Sequence, residues 1–125
     1  MNKTRVAGFI CISLLLLSLS ACSGQSFRYD TYIANVDNSS YRIAFNDDNT
    51  FVVTELGAGE DTGTFSVKGD ELTWETDVYC DSLNAGKATY TWTFKDDTLE
   101  LKVKGEDKCP LRLSVLTSGP LHVEK

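Results

Sequence analysis

From residue 41 to residue 115 the chain alternates apolar and polar positions. Tyr41, Ile43 and Phe45 share one face, and the run Phe51–Leu56 follows. Phe65 and Val67 face one way within Thr64–Lys68, and Leu72, Trp74, Thr76 and Val78 do so within Glu71–Val78. Tyr90, Trp92 and Phe94 alternate with Thr89, Thr91, Thr93 and Lys95. Leu99, Leu101 and Val103 alternate with Glu100, Lys102 and Lys104, and Leu111, Leu113 and Val115 with Arg112 and Ser114. A period of two is the mark of a strand with one buried face. Asp30–Val36 alternates less cleanly and makes the count seven or eight. No helical period competes. Short strands about ten residues apart, broken by turn residues, predict an all-β antiparallel up-and-down meander. An open sheet of that size has two exposed edges; closing it into a small barrel removes them.

In a meander the connections alternate between two ends. The turns at Asp47-Asp48, Gly69-Asp70 and Asp96-Asp97 fall at one end. Loops 37–40, 57–63, 79–87 and 105–110 fall at the other, so Cys80 and Cys109 share an end and can pair. In an oxidising compartment a disulfide is the default for such a pair.

The N-terminus supplies the address. Lys3 and Arg5 precede an apolar run from Val6 to Leu19, too short for a membrane span. Leu19-Ser20-Ala21-Cys22 resembles the lipobox of bacterial lipoproteins. That resemblance implies a signal peptide over 1–21, acyl chains such as palmitate on Cys22, and a short tether over 22–27. Residues 28–118 are then the barrel domain and 119–125 a tail. The protein is expected to be extracytoplasmic and held to a membrane of the cell envelope, the outer one where the organism has two. Loss of residues 1–21 takes Lys3 and Arg5 away and moves the net charge from −6 to −8. Such an acidic surface disfavours nucleic acid and suits a basic protein partner.

The strings Thr62-Gly63-Thr64-Phe65-Ser66-Val67-Lys68-Gly69-Asp70-Glu71-Leu72-Thr73 and Tyr90-Thr91-Trp92-Thr93-Phe94-Lys95-Asp96-Asp97-Thr98-Leu99-Glu100-Leu101 resemble the small lipocalin-like (calycin-type) domains of bacterial lipoproteins. The resemblance implies a lipocalin-like barrel. The G-x-W motif of lipocalins proper does not occur, so no ligand residue carries over from them.

Alternation makes Tyr41, Phe65, Trp74, Tyr90, Trp92 and Phe94 the candidate lining of an interior. Those rings either surround a pocket for an apolar molecule or fill the barrel solidly. Asp47-Asp48-Asn49 and Asp96-Asp97 fit turns and lack calcium-loop spacing. Glu60, Asp61, Asp77, Asp81, Glu106 and Asp107 can converge at the cysteine end, where a solvated rim is the simpler reading than a calcium site, and no metal or other cofactor is expected. The single histidine, His122, has no nucleophile motif around it, and an enzyme is not expected. Two functions stay open for a monomer. One is non-enzymatic binding of a small apolar ligand. The other is a protein-binding module, an inhibitor resembling the membrane-bound lysozyme inhibitors or a structural accessory of an envelope complex.

Overall fold

The computed structural model describes residues 26–125. The expected signal peptide, residues 1–21, and the expected lipidation site, Cys22, lie outside the described residues. Eight antiparallel strands follow one another round a closed barrel. They are β1 (Thr31–Val36), β2 (Ser39–Phe45), β3 (Thr50–Glu55), β4 (Gly59–Lys68), β5 (Glu71–Asp77), β6 (Ala88–Lys95), β7 (Thr98–Lys104) and β8 (Leu121–Val123). Two short helices interrupt the meander, α1 (Val78–Ser82) and α2 (Pro110–Thr117). The all-β up-and-down barrel expected from alternation is the fold. Asp30–Val36 does supply a strand, β1, and both cysteines lie at one end.

Five assignments change. Leu111–Val115 is helical, not a strand. Pro110 opens α2 at a position where its missing N–H costs nothing, and Arg112, Val115 and Leu116 bury one side at helical spacing. Thr117 and Ser118 then satisfy last-turn carbonyls, donating to Leu113 O (2.6 Å) and Val115 O (3.0 Å). The closing strand comes from the segment assigned to a tail. β8 pairs with β1 at Ile33↔His122 and with β7 at Leu99↔Leu121, and Leu121 is fully buried. Because β8 is so short, α2 packs on β7 and β1 over the rest of the seam. Phe27, assigned to the tether, belongs to the core. Finally, much of the 57–63 loop is strand, and Val78 is exposed at the start of α1.

The two ends differ. At the end of the Asp96-Asp97 turn the barrel has a solid floor. Phe27 meets Phe45 (5.3 Å between ring centroids) and Trp92 (5.4 Å) edge to face, and Phe45 meets Phe65 (5.1 Å). Such edge contacts add to the burial of the rings themselves. The segment that brings Phe27 in is tied down. Tyr32 donates to Arg28 O (2.7 Å), and Arg28 Nη1 donates to Asp97 (2.8 Å). The other end, roofed by α1 and α2, is the mouth.

Candidate functional site at the barrel mouth

A buried ionic network holds the two roof helices together. Asp77, the last residue of β5, caps α1 by accepting from Cys80 N–H (2.9 Å). Cys80 is bonded to Cys109, the residue before α2, with Cα atoms 5.6 Å apart. One turn into α2, Arg112 uses all five of its N–H groups. Nε and Nη2 bind Asp107 (2.7 Å each), Nη2 and Nη1 bind Ala85 O (2.8 Å) and Gly86 O (2.7 Å), and Nη1 reaches Asp77 (3.3 Å). Tyr90 donates its hydroxyl to Asp107. Burial pushes the Asp107 carboxyl up, but Arg112, Tyr90 and Cys109 N–H outweigh it and hold it below the ordinary range. Burial, then Asp107, raises the Tyr90 phenol. Arg112 therefore has no donor left for a ligand.

Beside this network lies a cavity of about 560 Å³. That volume is in the range of small-molecule sites. Tyr41, Val53, Trp74, Val115 and Leu116 wall it, and Val78, Tyr79 and Leu111, all exposed, stand where it opens. Its acids come from the inward face of the sheet. Along β3 the inward positions run Phe51, Val53, Glu55, and along β4 Asp61, Gly63, Phe65, with Val53↔Asp61 in register. Gly63 pairs in turn with Asp77. Glu55, Asp61 and Asp77 thus line the cavity from three neighbouring strands. Burial and the adjacent Asp61 push the Asp77 carboxyl up to about 6, against the pull of Cys80 N–H and Arg112. The Trp74 indole is 1% exposed, and its Nε1–H has no acceptor among the described residues.

Of the six aromatic candidates, Tyr41 and Trp74 line the cavity. Phe65 and Trp92 are buried in the core, Trp92 donating Nε1–H to Gly69 O (3.1 Å). Tyr90 is spent on Asp107, and Phe94 is half-buried beneath the Arg28 guanidinium (5.3 Å). The barrel is thus solid below and hollow above. Asp61, Asp77 and Asp107 are among the acids expected at the cysteine end, but as a solvated rim rather than a cavity lining and a buried network; Arg112 and Glu55 carried no site assignment. Pro110 before Arg112, and carboxylates in step with Phe51 and Phe65, are the signals that point to them. Among the described residues no group of three or more His, Cys, Asp and Glu side chains is arranged to hold a metal ion. No family model, curated protein or solved structure matches the chain.

Proposed function

We propose that this protein is a lipid-anchored, non-enzymatic binder of a small apolar ligand at the cell envelope, and that the mouth cavity is the site. The observation that carries the reading is an apolar-walled cavity of about 560 Å³ whose opening is rimmed by exposed Val78, Tyr79 and Leu111. Large apolar side chains around a concave opening are the usual signature of a binding site. A buried indole donor without a partner among the described residues, at Trp74 in the wall, adds to it. Phe27 and Arg28 lie at the floor, the end opposite the mouth, so the described residues leave the cavity opening uncovered by the segment that begins the domain.

The test is titration of residues 23–125 with N-phenylnaphthylamine, a neutral apolar probe. Saturable fluorescence enhancement at one site per chain is expected, with quenching or enhancement of Trp emission in parallel. Val53→Phe, which fills the cavity, weakens it at least ~10-fold while circular dichroism stays that of the wild type. Absence of saturation at micromolar protein ends the reading. A second reading, docking of a basic protein, draws on the exposed apolar side chains of Leu56, Val78, Tyr79, Leu83 and Leu111. A lysozyme-inhibition assay at micromolar protein tests its inhibitor form.

A further inference from the structure

We infer that the mouth cavity selects amphiphiles carrying a cationic group, a primary or quaternary ammonium on an apolar tail; this rests on the ligand-binding reading above. Inward positions of a barrel are normally apolar, and carboxylates there need a reason. Three occur side by side, Glu55, Asp61 and Asp77, with Glu60 beside them in the lining. Among the described residues the only basic one in the lining is Arg112, whose five donors are already taken. Neither Glu55, Glu60 nor Asp61 has a Lys or Arg partner among the described residues. Asp61 accepts from the Thr62 and Tyr79 N–H groups (2.9 and 3.0 Å), but no cation among the described residues pairs with these three carboxylates. Asp77 answers their negative charge in part by holding its proton more tightly, with Asp61 as a cause.

Two further features select the same chemistry. Tyr41 and Tyr79 bring aromatic rings to the cavity lining, while the Trp74 ring already has the Arg112 guanidinium 6.0 Å from its centroid. Aromatic faces attract ammonium groups, and quaternary ones most characteristically. Trp74 also keeps a fully buried Nε1–H that no atom of the described residues accepts. A ligand with an oxygen acceptor between tail and cation would satisfy it, as leaving a buried donor unpaired costs free energy. Anionic amphiphiles meet the opposite situation: their head group would be desolvated against several carboxylates without a free cation.

The experiment compares three probes with one tail: decanoylcholine, monodecanoylglycerol and decanoate. Binding is read from Trp fluorescence of the full chain in phosphatidylcholine nanodiscs, with empty discs as blank and free probe measured by dialysis. Decanoylcholine is expected to bind at least ~10-fold tighter than monodecanoylglycerol at low salt, decanoate weakest, because several partly exposed ion pairs each contribute a fraction of this. The preference should fall as salt rises. In the Glu55→Gln/Asp61→Asn variant it should narrow to within about two-fold. Equal affinity for the choline and glycerol esters, or tighter decanoate, overturns the charge selection and leaves the apolar site standing. No binding of any of the three removes the ligand-binding reading itself, and this inference with it. The wild-type series and its salt dependence decide the matter even where the double variant does not fold.

Discussion

Replacing Arg112 by Met tests whether the mouth is built on a buried cation. Met matches the stem of the side chain but removes five hydrogen bonds at once. It strands Asp107, which is 7% exposed, together with the carbonyls of Ala85 and Gly86. Removing one partner of a buried ion pair costs about 3–5 kcal/mol, because the other charge stays buried. For a domain near a hundred residues that lowers the melting temperature by about 15–30 °C. Urea denaturation at pH 7 gives the free energy directly. The deficit should also depend on pH. In the wild type the Asp107 carboxyl is held below its ordinary value, so its contribution is present above the unfolded pKa and is lost as pH falls through the folded one. Without Arg112 that carboxyl is buried and uncompensated, its pKa rises, and the native variant takes up a proton. The gap between variant and wild type therefore narrows towards pH 4. Arg112→Lys keeps a charge but not the planar fork, and should recover less than half of the loss. Arg112→Met combined with Asp107→Asn should cost at least ~1 kcal/mol less than the sum of the two single changes, since they share partners. A variant within ~1 kcal/mol of wild type at pH 7, or strict additivity with Asp107→Asn, refutes the reasoning.

Gly63→Ala should destabilise by about 1–3 kcal/mol in urea melts. A β-carbon there would lie 2.0 Å from Thr76 O and 2.7 Å from the Phe51 ring. Reducing Cys80–Cys109, which are 29 residues apart, should lower stability by roughly 3–4 kcal/mol, read from melts with and without dithiothreitol after thiol counting. Asp77 has a folded pKa of about 6, above the unfolded value, so the native state binds the extra proton. Its contribution is present below the unfolded pKa and is lost as pH rises from about 4 to 6. Asp77→Asn keeps the α1 cap and should gain stability relative to wild type over that window, followed by melts at pH 4, 5, 6 and 7.

The strands were readable because one buried face imposes a period of two, and turn residues such as Gly69-Asp70 and Asp96-Asp97 punctuate it. Those aspartates adopt φ of 52° and 56°, the left-handed geometry of a two-residue hairpin turn. The segment Leu111–Val115 shows where periodicity alone fails. Leu-Arg-Leu-Ser-Val alternates, yet the same letters place Arg112, Val115 and Leu116 at helical spacing, and tertiary packing over the seam decides between them. Leu121–Val123 was missed because three residues are too few to show a period. The cavity acids were hidden differently. Gly57–Gly63 has the composition of a loop, so Asp61 carried no inward assignment until Val53↔Asp61 fixed the register.

The acidic composition divides into two roles that only the fold separates. Asp107 and Asp77 serve the interior: they turn Arg112 into a fastening between β5, α2 and the loop between α1 and β6, and Cys80–Cys109 ties the same parts covalently. A roof fixed this firmly does not need a ligand to hold it. Glu55, Glu60 and Asp61 stand apart from that arginine, although Asp61 accepts from Tyr79 N–H (3.0 Å) in α1. Among the described residues none of the three pairs with a Lys or Arg, and Glu55 and Asp61 occupy inward positions. A chain that retains charge against a cavity, beside an arginine wholly committed elsewhere, has its stabilising and its recognising carboxylates in adjacent but separate sets. Exchanging Glu55 or Asp61 for its amide should therefore change what the cavity prefers far more than how firmly the barrel folds.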